Sequence, residues 1–137
     1  MIQTNIFQWP VRVYYEDTDA GGVVFYANYL KFYERARTEM LRAMGFEQDE
    51  LIVNESVIFV VRSVQVDYLQ PAKFNDLIHV SAEIGLLKSA SLSFQQSIYR
   101  GEDKLSTANI RIACLDSDTM RPKQIPEPLK RALANES

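Results

Sequence analysis

One long helical stripe, set among runs that alternate apolar with polar residues, is the feature that most restricts how this chain can fold. Leu30, Tyr33, Ala36, Met40, Leu41 and Met44 recur at steps of three and four, the spacing that gathers apolar side chains on one helical face. Lys31, Glu34, Arg35, Glu39 and Arg42 fill the wet side, and Gly45 stands where a helix closes on a left-handed residue. Asn28 is one candidate N-cap; a first turn near Tyr26 fits equally well. Elsewhere the period is two. Residues 11–16 read as a strand, with Val11, Val13 and Tyr15 alternating with Arg12, Tyr14 and Glu16, before a break at Gly21 and Gly22. Past a polar segment at residues 48–55, with room for another helical turn, Val64, Val66 and Tyr68 alternate with polar neighbours until Pro71. Asn75 and Asp76 open a strand whose one face is Ile78, Val80, Ala82, Ile84 and Leu86; His79 falls on its polar side and reads as a surface histidine. Leu92, Phe94, Gln96 and Ile98 share a face of the next strand, residues 101–103 form a hairpin loop, and Ala108, Ile110, Ile112 and Cys114 line the last strand. The proline-bearing tail has room for a short closing helix.

The order is therefore strand, long helix, then four strands on short links, an α+β pattern with antiparallel neighbours. Curling the sheet around the helix buries both the helical stripe and one sheet face. The 137 residues make one domain, residues 1–137, large enough for its own core. The second sheet face and a sheet edge still need cover, which predicts a homodimer or homotetramer.

Composition narrows the function classes. Fifteen basic against 18 acidic residues give a net charge of −3, which disfavours nucleic acid as a partner. The longest clean apolar run is residues 57–61, far short of the about 20 residues a membrane helix needs, so no membrane span is expected. Residues 1–9 carry neither a basic nor an apolar leader pattern. Cys114 is the only cysteine and cannot form an internal disulfide, which suits a cytoplasmic location. His79 is the only histidine, so a His/Cys zinc site is excluded, and no nucleophile elbow, dinucleotide fingerprint or phosphate loop is present. No metal and no cofactor is expected. Chemistry is left to carboxylates, backbone amides and hydroxyls.

Glu16, Asp17 and Asp19 stand just before Gly21 and Gly22 and the helix start. Glycines let a backbone approach a ligand closely, and a helix N-terminus offers free N–H groups with a partial positive charge. Amides there can polarise a carbonyl while a carboxylate stands beside it. Simple helix capping is the plain alternative. A calcium loop fits Asp17, Asp19 and Gly22 but fails at Gly21 and Asn28, and a glycosidase carboxylate pair needs a spacing that sequence does not reveal. Glu16 and Asp17 read as structural, holding the turn or capping the helix.

This stretch resembles the signature of the 4-hydroxybenzoyl-CoA thioesterase family, which has the hotdog fold, and resembles its YbgC-type acyl-CoA thioesterase branch more closely. The likeness runs over residues 7–29 and 32–42 and resumes at residues 59–62 and 68–72. The resemblance implies an acyl-CoA thioester hydrolase with Asp19 as the catalytic acid, attacking directly or deprotonating a water. It implies the N–H of Tyr26 as the carbonyl-polarising amide, Gly22 beside the thioester, and a CoA end held by Arg62, Lys88 and Ser89. One departure is that no histidine follows the glycines, where Phe25, Tyr26 and Ala27 stand. It also implies a genetic neighbourhood with bacterial Tol-Pal envelope systems. The tail, with a local excess of two positive charges over residues 119–137, could touch acyl carrier protein, a solvated tail being the plainer reading. A non-catalytic acyl-chain or acyl-carrier-protein binding module is the alternative from another class.

Overall fold

The computed structural model describes residues 6–136, so the reading of residues 1–9 lies in part outside the described residues. Five strands, β1 (Phe7–Arg12), β2 (Val57–Tyr68), β3 (Leu77–Leu87), β4 (Ser91–Arg100) and β5 (Asp103–Asp116), form one antiparallel sheet in the order β1-β3-β4-β5-β2. The long helix α1 (Asn28–Ala43) lies on one face of it; α2 (Gln48–Glu55) follows, and α3 (Glu127–Glu136) closes the chain. Among the described residues, no helix is long and apolar enough to cross a membrane.

The core forms where α1 meets the sheet. Tyr29, Phe32, Tyr33, Ala36, Met40 and Leu41 are buried against Ile78, Val80, Ile84, Phe94, Ile98 and Ile110. Each large side chain so buried contributes about 1.5–3 kcal/mol. The buried face is turned slightly from the one the spacing predicts: Tyr29 and Phe32 go inside, while Leu30 stays 40 % exposed. The cause is placement, since α1 packs over β3 and β1 and leaves the β2 side of the sheet less covered.

Three other expectations need correction. The first strand ends at Arg12 rather than running from Val11 to Glu16, and Tyr15–Asp17 is a 3-10 turn. There the Asp17 carboxylate accepts the Tyr14 N–H at 2.9 Å and the Thr18 hydroxyl donates to the Tyr15 carbonyl at 2.7 Å, local bonds that compete with a ladder. The strand expected near Ser63 begins at Val57, so the apolar run of residues 57–61 is its first half. Finally, β2 does not neighbour β3: it pairs with β5, and β1 sits beside β3. The link of residues 69–76 is a crossover to the other side of the sheet, and it supports the candidate site. Only β3, β4 and β5 form the expected meander.

The two edges differ. β1 is short and carries Pro10, a residue suited to an edge. β2 is 12 residues long, with Val61, Val64 and Tyr68 each more than 40 % exposed. The register irregularity between Ile84 and Leu87 in β3 is built on Gly85, where a Cβ would stand 2.6 Å from the Ser93 hydroxyl oxygen that accepts the Leu86 N–H. Cys114 is fully buried, and burial pushes its thiol up to about 11, so it offers no thiolate nucleophile at neutral pH.

Candidate active site

The acid-glycine stretch folds into a tight hairpin turn. Thr18 and Val24 bridge across it, the Asp19 N–H donates to the Val23 carbonyl at 2.9 Å, and the Gly22 N–H donates to the Asp19 carbonyl at 3.1 Å. Gly22 sits at φ 78°, a left-handed conformation that a side chain disfavours. One carboxylate oxygen of Asp19, Oδ1, accepts the Gly21 N–H at 2.9 Å. The other, Oδ2, has no partner among the described residues, and the side chain is exposed. Asp19 is thereby oriented with one oxygen held and one free.

The turn is tied to the start of α1 through Asp17. Its carbonyl accepts both the Phe25 N–H at 3.1 Å and the Asn28 side-chain amide at 3.0 Å. Asp17 has the structural role that the sequence suggests, and Asn28 spends its amide on this tie rather than on capping. The Asn28 N–H donates to the Phe25 carbonyl at 2.8 Å, which makes Phe25 to Asn28 a four-residue turn with Tyr26 second. Among the described residues, nothing accepts the N–H of Tyr26. A free amide thus points from the positive end of a 16-residue helix, one short loop from a carboxylate with a free oxygen.

The crossover after β2 fixes this loop from the far side. The Val24 N–H donates to the Ala72 carbonyl at 2.8 Å, the Phe74 N–H donates to the Gly22 carbonyl at 3.1 Å, and Val23 bridges to Lys73. The Tyr68 hydroxyl donates to the Tyr26 carbonyl at 3.1 Å, while the Tyr29 hydroxyl accepts the Ala72 N–H at 2.9 Å. The Tyr68 ring meets Tyr29 edge-on at 5.0 Å and Tyr26 at 6.4 Å. Burial, with Tyr29 and Tyr26 nearby, raises the Tyr68 phenol above its usual range, which keeps it a donor. These tyrosines, with Val24, Leu69 and Pro71, line a shallow concavity of about 260 Å³ beside the free amide. Composition and spacing gave no sign that Tyr68 belongs here; only the family resemblance at residues 68–72 touched it.

The three residues expected to hold CoA behave unequally. Arg62 and Lys88 do line one cleft, of about 250 Å³, with Ser63, Ser91 and Ser93. Arg111, which the sequence reading missed because it looks like any polar-face residue of the last strand, joins them. None of the three forms an ion pair among the described residues. Ser89 does not line the cleft; its carbonyl accepts the Ile125 N–H at 2.8 Å instead. Two cations of the tail are engaged within the chain, Lys123 with Asp116 and Arg131 with Glu127, which weakens the tail as a docking surface.

A hotdog-type wrap of an antiparallel sheet around one helix, with a carboxylate turn at the helix start, is the arrangement of a thioesterase-like protein. The model of the thioesterase-like superfamily matches residues 13–133, and the chain belongs to that family. It is 46% identical over 128 residues to the acyl-CoA thioesterase YbgC of Haemophilus influenzae, covering 93% of this chain and 94% of that one. It is likewise 46% identical to the acyl-CoA thioester hydrolase YbgC of Escherichia coli O6:H1, covering 93% of this chain and 96% of the relative. Among solved structures it resembles a probable thioesterase from Bartonella henselae, with a TM-score of 0.85 and 35% identity over 88% of this chain and 99% of that one.

Proposed function

We infer that this protein hydrolyses acyl-CoA thioesters to a carboxylic acid and free CoA, with Asp19 and the Tyr26 amide as its working groups. The observation that carries this reading is the pairing of a carboxylate with one free oxygen and a helix-start amide with no acceptor, held by one hydrogen-bonded loop. The thioester carbonyl oxygen accepts from the Tyr26 N–H, which stabilises the negative charge that builds there as the carbon becomes tetrahedral. Two routes fit Asp19. In one, Oδ2 attacks the carbonyl carbon, the carbon–sulfur bond breaks, the thiolate departs, and water cleaves the resulting anhydride. In the other, Asp19 takes a proton from a water whose oxygen attacks, and the departing thiolate is protonated in turn. Gly22 leaves room beside the thioester.

Arg62, Lys88 and Arg111 suit the phosphates of CoA, being cations without carboxylate partners. Arg62 lies six residues along β2 from Tyr68, about 20 Å at strand rise, a separation a pantetheine arm can bridge. Thiol release from a chain-length series of acyl-CoAs tests the reading: turnover is expected, with KM raised in Arg62→Ala and Lys88→Ala. Saturable acyl-CoA binding without release would make the protein a binding module instead.

The working form is a homodimer or a higher homo-oligomer. The support is the long open edge of β2, whose exposed Val61, Val64 and Tyr68 lie beside the less covered part of the sheet. Sedimentation should give a multiple of the 15.7 kDa chain mass, and a stable monomer would refute the assembly. Acyl carrier protein draws little support as a partner, since tail cations already have partners. A reducing cytoplasm suits the single buried thiol.

A further inference from the structure

Arg37 is a buried charge that the thioester chemistry leaves unused. It projects from α1 on the flank it shares with Glu34, Thr38 and Leu41, and only 7 % of it is exposed. Its Nη1 donates to the Gln96 side-chain oxygen at 3.0 Å. Gln96 is itself fixed, its amide donating to the Tyr33 carbonyl at 3.0 Å and the Ser81 carbonyl at 3.2 Å. Arg37 forms no ion pair among the described residues. Glu34 acts on it from a distance but is exposed and screened by water, and its Oε2 takes the Thr38 hydroxyl at 3.3 Å. Burial pulls the guanidinium down to about 10, which still leaves it a cation at neutral pH.

A guanidinium has five N–H donors, and only one nitrogen here has a protein acceptor. Among the described residues, no fully enclosed side-chain nitrogen or oxygen lacks a partner. The remaining Arg37 nitrogens are therefore not fully enclosed. Arg37 lines a cavity of about 110 Å³ on this flank of α1, walled by Phe59, Val61, Phe94, Ile112, Leu129 and Leu133. It holds far more than one water, and its walls are hydrocarbon apart from a rail of Glu34, Arg37, Thr38 and Gln48 along one side. A chain end entering it meets an apolar sleeve and, on the polar rail, the Arg37 cation without an ion-pair partner and the exposed carboxylate of Glu34.

We propose that this cavity receives the far end of the acyl group and that Arg37 selects acyl groups ending in a carboxylate. The proposal rests on the hydrolase reading and names its substrate class: ω-carboxyacyl thioesters. A carboxylate supplies the charge-assisted, bidentate partner that Arg37 lacks, whereas a methyl end displaces water from a cation and gives nothing back. Sites built to bond a polar group discriminate strongly against analogues without it. Nine residues of helix separate Asn28 from Arg37, about 14 Å of rise, so the preference belongs to medium-length chains and not to the shortest diacids.

Calorimetry on the full chain with ω-carboxyalkanamides and plain alkanamides of matched length, whose neutral amide stands for the thioester carbonyl, tests the pocket directly. The medium-length carboxylate-ended amide should bind about tenfold tighter or better, and kcat/KM for the matched CoA thioesters should show the same ratio. Arg37→Met should bring both ratios to about one or below. Arg37→Lys, which keeps the charge if the Met variant fails to fold, should retain part of the preference. A wild-type protein that binds the carboxylate-ended amide no better than the plain alkanamide overturns the proposal, as does a folded Arg37→Met with an unchanged ratio or an Arg37→Lys that gains preference. If no acyl-CoA releases thiol, the hydrolase reading falls, and the binding ratio still judges the pocket.

Discussion

Asp19→Asn should lower acyl-CoA turnover by about three orders of magnitude, roughly 4 kcal/mol of transition-state stabilisation. The substitution is close to isosteric. The amide oxygen can still accept the Gly21 N–H, so the hairpin turn persists, and an exposed side chain of this kind costs about 0.5 kcal/mol or less of stability. What disappears is the free oxygen: an amide NH2 neither attacks a carbonyl nor takes a proton from water. The variant should therefore bind acyl-CoA, unfold near the wild-type temperature and release almost no thiol. Near-normal rates would remove Asp19 from the mechanism. For the wild type, a single turnover in oxygen-18 water tests the anhydride route. Label in Asp19 marks attack by the carboxylate, with water opening the anhydride at the aspartyl carbon; label only in the released acid fits attack by water, or opening of the anhydride at its acyl carbon.

Tyr26→Pro tests the other half of the site. The group assigned to the carbonyl is a backbone N–H, so truncating the side chain does not remove it. Proline does, and position 26 is the second residue of a four-residue turn, where proline is favoured. Loss of one such donor should cost about a hundredfold to a thousandfold in kcat. Tyr26→Ala is the control. It keeps the amide and loses the ring contacts to Phe25 at 4.8 Å and to Tyr68, so its kcat should fall far less. Equal losses in the two variants would assign the effect to the ring and not to the amide.

The parts of the fold that were legible share one property: local spacing reflects local burial. Helix α1 and the β3-β4-β5 meander were readable because each buries one face against its nearest neighbours in the chain. The first strand was misplaced because Val13 and Tyr15 continue the alternation that the side chains of Asp17 and Thr18 bring to an end. The position of β2 was hidden because a link of residues 69–76 can either turn back or cross, and no periodicity distinguishes them. Asp17, Asp19 and Gly22 stand close together in sequence, so the turn they share was legible as a candidate site. Tyr68 and the crossover lie more than 40 residues from the loop they brace, with no signal of their own beyond the family resemblance. Arg37 was missed for the opposite reason: the helical pattern put a charge beside the stripe, and charges beside a stripe ordinarily reach water.

The carbonyl-holding group assigned here belongs to the main chain. Every residue but proline supplies it, so the identity of the amino acid at position 26 is free to drift without deleting it. Lineages sharing this framework can exchange the walls of the acyl cavity while the reaction centre stays as it is. Substrate range and reaction type are thereby uncoupled, and the same scaffold can be retuned from one acid to another by side-chain changes alone.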